Sequence, residues 1–238
     1  FMERDYVKII SLQPVSDYIK YYQALSYYKM NNMKRSLEIF EQIVNFKIQY
    51  NSEFYYHYAL ILNKNNLLDR SADILLKNVI SSSGKNKYDA IILLAENYLK
   101  LNNNTAALNI ISNTDFPPEY ESVILNLKGI INFNLKNFDK SADCFEKYLN
   151  KKMDNDIFFN LAAAYKELGE YDKSLDICFR LLQKQYYYEY KILTLAGIIY
   201  YELGNFSESE SYLKKSIEKK PDQPQARKLL LVIQYRKQ

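Results

Sequence analysis

The sequence predicts an all-α protein built from a repeated pair of helices. Apolar residues recur at helical spacing along most of the chain. The 238 residues include only five glycines and five prolines, which favours helix over loop-rich structure. One pattern of about 34 residues can be laid over the sequence six times. About six antiparallel helix pairs, followed by a terminal capping helix, are therefore expected.

The clearest copy of the unit is residues 190–223. Apolar residues within 192–203 form the stripe of an amphipathic helix, and Gly204 ends it, because glycine tolerates the left-handed conformation at a helix C-terminus. A second helix is predicted over 207–219. Gly197 lies inside the first helix, where glycine costs about 1 kcal/mol relative to alanine. We therefore expect Gly197 to allow close approach of the second helix.

Four places of this unit recur in five upstream copies. A place is a position that is equivalent in every copy, and it is small or large after the residues that it takes. The small place of Gly197 holds Ala24, Ala59, Ala95, Gly129 and Ala162 in the upstream copies. The large place of Tyr200 holds Tyr27, Leu62, Tyr98, Asn132 and Tyr165. The place of Ser209 holds Ser36, Ser71, Ala107, Ser141 and Ser174; the place of Leu213 holds Phe40, Leu75, Ile111, Phe145 and Cys178. Agreement of six copies at four places is hard to obtain by chance. Asn132 departs from the pattern, since a ring is usual at its place.

The unit resembles the tetratricopeptide repeat. The resemblance is carried by Leu193, Ala196, Gly197, Tyr200, Gly204, Phe206, Ser209, Leu213, Ser216 and Pro221. The family usually has alanine where Ser209 and Ser216 stand. The resemblance implies a right-handed superhelical solenoid in which the first helices line a concave groove. It also implies a non-catalytic scaffold that binds other proteins.

We expect a single array over residues 1–238. Its parts are an N-terminal helix or half repeat at 1–16, six repeats at 17–51, 52–87, 88–121, 122–154, 155–189 and 190–223, and a capping helix at 224–238. The cap is more apolar than a cap requires, which leaves self-association through this end open. Phe1 stands before Met2, so we expect the sequence to be a trimmed piece of a longer chain.

A groove for a partner segment is predicted along the first helices. Doublets such as Tyr200-Tyr201 would place one ring in the core and the next in the groove. Tyrosine offers a large contact area at a modest entropy cost. The predicted groove residues are Tyr18, Tyr21, Tyr28, Tyr56, Asn63, Ile92, Glu96, Asn126, Phe133, Phe159 and Tyr201. The alternative is that some of these rings only cover neighbouring helices.

The resemblance raises one specific binding mode, a clamp on the C-terminal carboxylate of a peptide. Only Asn160 and Lys191 stand at places that match this clamp, while the others hold Asn126, Ile130 and Leu195. An extended or helical segment held by aromatic contacts is therefore favoured over a clamped C-terminus.

Catalytic and metal chemistry is not predicted, and neither is a cofactor. His57 is the single histidine, which excludes a metal site built on several histidines. The sequence has no glycine-rich phosphate loop and no nucleophile elbow. Cys144 and Cys178 are expected to be buried, reduced thiols. We therefore expect a protein that is not an enzyme.

Charge and hydropathy limit the remaining functions. The net charge of the chain is +4. Residues 214–238 alone have a net charge of +6, so the rest of the chain has a net charge of −2. A solvated C-terminal helix is the favoured interpretation, and contact with an acidic partner or an anionic lipid surface is the alternative. No apolar run approaches the roughly 18 residues that cross a bilayer, so no transmembrane segment is predicted in this chain.

A partner protein or peptide is the expected ligand. A helical-repeat nucleic-acid binder is less favoured, because the lysines near the groove are offset by acidic residues. A further alternative is the structural or regulatory part of a larger enzyme or envelope-assembly protein. The cytoplasm is favoured as the compartment; a periplasmic or membrane-anchored location is the alternative if an upstream segment was removed.

Overall fold

The computed structural model of the chain consists of α-helices joined by short turns. It describes residues 2–13, 16–44, 50–80, 84, 86–184 and 187–236. These residues form fourteen α-helices and one 3-10 turn, with no strand in the described ranges. The helices divide into two compact units, Phe1–Phe116 and Pro117–Gln238.

The first unit holds seven α-helices, which pack largely as hairpins. They are α1 (Met2–Ile10), α2 (Asp17–Lys29), α3 (Met33–Ile43), α4 (Ser52–Lys64), α5 (Leu68–Asn78), α6 (Lys87–Lys100) and α7 (Asn104–Ser112). α2 packs on α3, α4 on α5 and α6 on α7, while α4 also contacts α6. The buried side chain of Gln23 on α2 fixes the end of α1. Its Nε2 donates to the carbonyls of Ile9, Ile10 and Leu12 at 3.3, 3.2 and 2.8 Å.

The second unit begins with a 3-10 turn at Pro118–Tyr120 and continues with seven α-helices. They are α8 (Glu121–Asn134), α9 (Phe138–Leu149), α10 (Asn155–Glu167), α11 (Tyr171–Gln183), α12 (Glu189–Glu202), α13 (Phe206–Lys219) and α14 (Pro224–Arg236). The hairpins are α8 with α9, α10 with α11 and α12 with α13, and α14 packs on α13. α10 contacts both α8 and α12, so the first helices of neighbouring hairpins lie side by side.

Each of these six hairpins turns at one residue with a left-handed backbone. The six turn residues, with φ between 58° and 79°, are Asn31, Asn66, Asn102, Lys136, Gly169 and Gly204. The next residue donates its N–H to the carbonyl five positions back, as Asn205 does to Tyr200 at 2.8 Å. This bond satisfies a carbonyl at the helix end that has no partner within the helix. The turn predicted at Gly204 is confirmed, and asparagine fills the same place in the first unit.

Lys136 is the exception among these turn residues, since it is neither glycine nor asparagine. A left-handed backbone costs a residue with a Cβ about 1–2 kcal/mol. Lys136→Gly is therefore expected to stabilise the second unit by about 1 kcal/mol, measured as a higher urea midpoint. The matched control is Lys140→Gly, an exposed position in α9, which should cost about 1 kcal/mol. A lower urea midpoint for Lys136→Gly would show that the left-handed backbone of Lys136 does not cost the protein stability.

A buried serine links the two helices in five of the hairpins. The Ser209 hydroxyl donates to the carbonyl of Gly197 at 2.7 Å. Equivalent bonds of 2.7–2.9 Å join Ser36 to Ala24, Ser71 to Ala59, Ser141 to Gly129 and Ser174 to Ala162. Close approach of the helices is what permits these bonds. The expectation for Gly197 is confirmed, because a Cβ there would lie 2.8 Å from Cγ of Leu213.

The predicted helices 192–203 and 207–219 correspond to α12 and α13, and the predicted cap corresponds to α14. Residues 1, 14 and 15 of the predicted N-terminal segment, and 237 and 238 of the cap, lie outside the described residues. Cys144 and Cys178 are buried free thiols, as predicted. Burial raises the pKa of the Cys178 thiol to about 12, so this thiol stays protonated at neutral pH.

Candidate binding groove

Two joined cavities in the second unit form a groove beside α10 and α12. One cavity of about 570 Å³ has an apolar wall of Phe133, Phe159, Ala163, Leu195, Ile198 and Ala226. The other, of about 350 Å³, shares Phe133, Phe159 and Ala163 with it and adds Ile130, Asn134, Phe145 and Asn160. We call the groove formed by all residues that line either cavity the phenylalanine groove.

Two rings from neighbouring helices shape the middle of this groove. Phe133 lies at the end of α8 and Phe159 lies in α10, and both pack against the core of the second unit. The Phe133 ring also meets the Phe138 ring, with centroids 5.4 Å apart and an angle of 68°. Both rings are half-buried, so each keeps part of its surface for a ligand. Because packing already holds the rings, binding costs little further ordering.

The first residues of α14 form part of the groove wall. Pro224–Ala226 line the larger cavity, and Gln223 just before them is buried. Its Nε2 donates to the carbonyls of Ser216 and Lys220 at 2.7 and 2.8 Å. Its Oε1 accepts from the Thr194 hydroxyl at 2.9 Å. This buried network fixes the start of α14 against α12 and α13.

The charges at the groove differ in how they are paired. The Lys166 ammonium contacts Glu202 at 2.9 Å and Glu167 at 3.0 Å. Burial opposes its charge, but the hydrogen bonds to these carboxylates outweigh that and raise the pKa of Lys166. Lys191 is exposed, with its Nζ 4.3 Å from the centroid of the Tyr188 ring. No carboxylate in the described ranges lies within ion-pair distance of Lys191.

The residues predicted for the groove in the second unit have three different environments. Phe133 and Phe159 line the phenylalanine groove. Asn126 is half-buried on α8, and its Oδ1 is buried with no hydrogen-bond partner in the described structure. The Tyr201 ring lies 5.5 Å from the Phe206 ring and 5.5 Å from the guanidinium carbon of Arg236. Tyr201 therefore contacts α13 and α14, and it is not among the groove-lining residues.

In the first unit, the predicted tyrosines fall into two groups. Tyr18 and Tyr21 line a separate cavity of about 330 Å³. Tyr28 and Tyr56 are half-buried and pack against the core of that unit. These rings therefore cover neighbouring helices with part of their surface, as the alternative interpretation proposed.

The remaining predicted residues of the first unit lie on α4 and α6. Ile92 and Glu96 are half-buried, and burial raises the pKa of Glu96 against the opposing charges of Lys100 and Lys64. Asn63 is buried, with its Nδ2 donating to Asn97 Oδ1 at 2.5 Å and its Oδ1 accepting from Lys100 at 3.2 Å. Its amide thus links α4 to α6.

Several groove residues were not predicted, although the sequence carries a signal for some of them. Ala163 and Ile198, which were not predicted, each follow a small place of the repeat by one position. Reading that offset along every copy would have found these residues. Thr194 and Pro224–Ala226 had no such signal, because their position depends on how α14 packs.

In the part of the chain that the structure describes, no group of three or more His, Cys, Asp or Glu residues is placed to hold a metal ion. Over the same residues, no helix combines the length and the apolar character needed to cross a membrane.

Sequence comparison finds repeats of one kind in this chain. Models of the tetratricopeptide repeat match residues 18–45 and 190–223. A TPR repeat-containing protein of Methanocaldococcus jannaschii is 36% identical over 86 residues, which are 34% of this chain and 14% of that protein. The chain thus spans a small part of this relative's length.

Solved structures share the fold at low sequence identity. The Cut9–Hcn1 hetero-tetramer of the APC/C has a TM-score of 0.73 and 16% identity, over 98% of this chain and 45% of that chain. A tetratricopeptide repeat protein from Parabacteroides merdae has a TM-score of 0.68 and 12% identity, over 98% and 91%. MamA has a TM-score of 0.59 and 17% identity, over 71% and 92%. These likenesses confirm the predicted all-α repeat fold.

The family defines a general role. Tetratricopeptide repeat proteins are generally scaffolds that bind other proteins, and they are typically non-catalytic. The matched repeats, the archaeal relative and the shared fold agree with the helix pairs and left-handed turns seen here. The chain contains tetratricopeptide repeats, matched by family models at residues 18–45 and 190–223.

Proposed function

We propose that the phenylalanine groove binds a segment of another protein, and that the chain acts as a non-catalytic interaction scaffold. The observation that carries this proposal is the pair of joined cavities, about 570 and 350 Å³, with apolar walls to which α14 contributes. Both volumes fall in the range of roughly 300–1,000 Å³ that is usual for binding pockets.

The lining residues favour a particular kind of segment. The rings of Phe133 and Phe159 offer an apolar surface for a large aliphatic or aromatic anchor side chain. Lys191 at the edge of the larger cavity has no carboxylate partner in the described chain, so its ammonium can pair with an acidic residue of the ligand. The preferred segment therefore combines an apolar anchor with a nearby Asp or Glu.

Selection of random peptides displayed on phage tests this proposal without knowledge of the natural partner. The whole chain is immobilised, and enriched peptides are expected to carry an apolar anchor and an acidic residue. Phe133→Ala combined with Phe159→Ala should weaken these peptides by at least about 30-fold, because loss of one anchoring ring at a hot spot costs about 2 kcal/mol. Fluorescence anisotropy with synthetic peptides gives the affinities.

Phe158→Ala is the matched control for this experiment. Phe158 is the neighbour of Phe159 on α10, but it lines a different cavity with Met153 and Ile177. The control loses a half-buried ring from the same helix and should bind the selected peptides like the wild type. Equal binding by the double variant and the wild type, with helical content intact, would reject the groove as the ligand site.

Self-association through α14 is an alternative use of this unit. Leu231 and Tyr235 are 55% and 77% exposed, while Ala226 and Ile233 on the same helix are buried. A dimer through this helix would cover the two exposed side chains. Sedimentation velocity at increasing concentration would separate such a dimer from the monomeric scaffold.

A further inference from the structure

The first unit contains a cavity walled by aromatic rings that the proposed groove does not use. Its volume is about 330 Å³. Three rings come from α2, and two more come from the start of α4 and the residues before it. We call this site the tyrosine cavity, and its rings are those of Tyr18, Tyr21, Tyr22, Tyr50 and Phe54.

The rings form adjoining walls and not a single stack. The centroids of Tyr18 and Tyr22 are 4.8 Å apart at an angle of 62°, and those of Tyr21 and Tyr22 are 5.1 Å apart at 73°. On the α4 side, the Tyr50 and Phe54 rings stack at 4.2 Å and 18°. A ligand in this space can contact several ring surfaces at once.

Tyr21 is held in place by contacts with the core. Its ring lies 5.8 Å from the Phe40 ring and 5.5 Å from the Phe54 ring. Its hydroxyl and Nδ1 of His57 are 2.6 Å apart. Burial lowers the pKa of His57, which favours the neutral ring that can accept this bond. This wall of the cavity is therefore formed before any ligand arrives.

Acidic side chains line the cavity. Asp17 and Glu53 line it, and no Lys or Arg is among the lining residues that the structure describes. Asp17 meets Lys20 only at 3.8 Å, and Glu53 has no ion pair with any described residue. Asp17 and Glu53 lie in the first turns of α2 and α4, where the partial positive charge of a helix N-terminus favours a carboxylate. Glu53 is therefore the lining carboxylate that keeps its charge without an ion pair to any described residue.

Two tyrosine rings of α2 that line the cavity are exposed, so a cation from outside the chain can reach them. Tyr18 and Tyr22 are 70% and 40% exposed. In the described ranges, the charged group of a lysine or arginine lies over seven other aromatic rings. None lies over the rings of Tyr18, Tyr21 or Tyr22. Aromatic faces beside a carboxylate that has no ion pair, as Glu53 has none here, attract cations through the ring quadrupole and through direct charge.

We propose that the tyrosine cavity binds an arginine side chain of a partner protein. A guanidinium is planar, stacks on tyrosine faces and pairs with carboxylates, and it is more weakly hydrated than an ammonium. A guanidinium therefore loses less hydration free energy than a lysine ammonium when it leaves water for this cavity. The site lies in the first unit and does not depend on the phenylalanine groove, so either proposal can fail alone.

NMR titration of the whole chain with acetyl-Gly-Arg-Gly-amide tests the site. The amide signals of α2 and of the first turn of α4 are expected to shift. A peptide with citrulline in place of arginine is neutral and nearly isosteric, and it should produce no such shift. The apparent affinity for the arginine peptide should fall as salt is raised, because the attraction is partly between exposed charges.

Three variants complete the test. Glu53→Gln should weaken the arginine peptide by about threefold, as expected for loss of a solvent-exposed ion pair, and Tyr22→Ala should weaken it further. Tyr187→Ala, which removes an exposed tyrosine outside the cavity, should leave the affinity unchanged. An equal response to citrulline, tighter binding of lysine or trimethyl-lysine peptides, or full affinity in Glu53→Gln and Tyr22→Ala would each overturn the proposal.

Discussion

Phe145→Ala is expected to lower the free energy of unfolding by about 3–5 kcal/mol, as removal of a buried aromatic ring does. Phe145 lies in α9 and is almost fully buried. Its ring occupies the space where a side chain on Gly129 of α8 would stand, since a Cβ built there would lie 2.7 Å from Cζ of the ring. Alanine would leave this space empty between two helix backbones. A large fall in the urea midpoint, followed by far-UV circular dichroism, is the expected measurement.

Gly129→Ala supplies the complementary test of the same contact. Helix propensity alone predicts stabilisation by about 1 kcal/mol, because alanine is the better helix former. The Phe145 ring predicts net destabilisation by about 1–3 kcal/mol through overpacking. In a Phe145→Leu background the penalty should shrink, giving a coupling of about 1 kcal/mol or more. Equal effects of Gly129→Ala in both backgrounds would contradict the packing described here.

Gln223→Ala is expected to destabilise the second unit by about 1–3 kcal/mol. The change removes an acceptor from Thr194 and removes donors from the carbonyls of Ser216 and Lys220, in a buried region. The start of α14 would lose its anchor, so faster hydrogen exchange of α14 amides should accompany the lower urea midpoint. Because Pro224–Ala226 line the phenylalanine groove, the selected peptides should bind more weakly as well.

Gln225→Ala is the control for that network. Gln225 lies two residues further on, lines the same cavity and is exposed. Its substitution should change stability by no more than about 0.5 kcal/mol, as is usual for surface positions. Similar effects of Gln223→Ala and Gln225→Ala would show that the network does not hold α14.

The local features of the fold were predictable because they depend on neighbours in sequence. Apolar spacing predicts α12 and α13, and glycine predicts the turn at Gly204. The small place of Gly197 predicts close packing of the next helix of the same hairpin, where Leu213 lies against it. The boundaries between repeats stay a prediction, since helix positions alone do not define them.

The candidate groove was only partly predictable, because lining residues depend on contacts that are distant in sequence. Asn63 shares its repeat place with Tyr28 and looks like a groove residue, yet Asn97 on another helix binds its amide. Tyr201 is covered by α14, which no repeat pattern positions. Asn132 occupies a ring place, and its Nδ2 donates to the carbonyl of Lys128 at 2.8 Å. Its Oδ1 accepts from Asn137 Nδ2 at 3.4 Å, so bonds within α8 and to the following turn satisfy this polar side chain.

Serine and alanine are nearly equivalent at the inner place of the second helices. The hydroxyl of Ser209 donates to a carbonyl of Gly197 that, inside a helix, also accepts the regular backbone bond. Replacement by alanine therefore leaves no acceptor unsatisfied and removes one buried hydroxyl together with its partner bond. Ala107 already fills this place in α7. Exchange between the two residues is therefore expected to change stability little, so copies of the repeat can differ in sequence at this place and keep the same helix spacing.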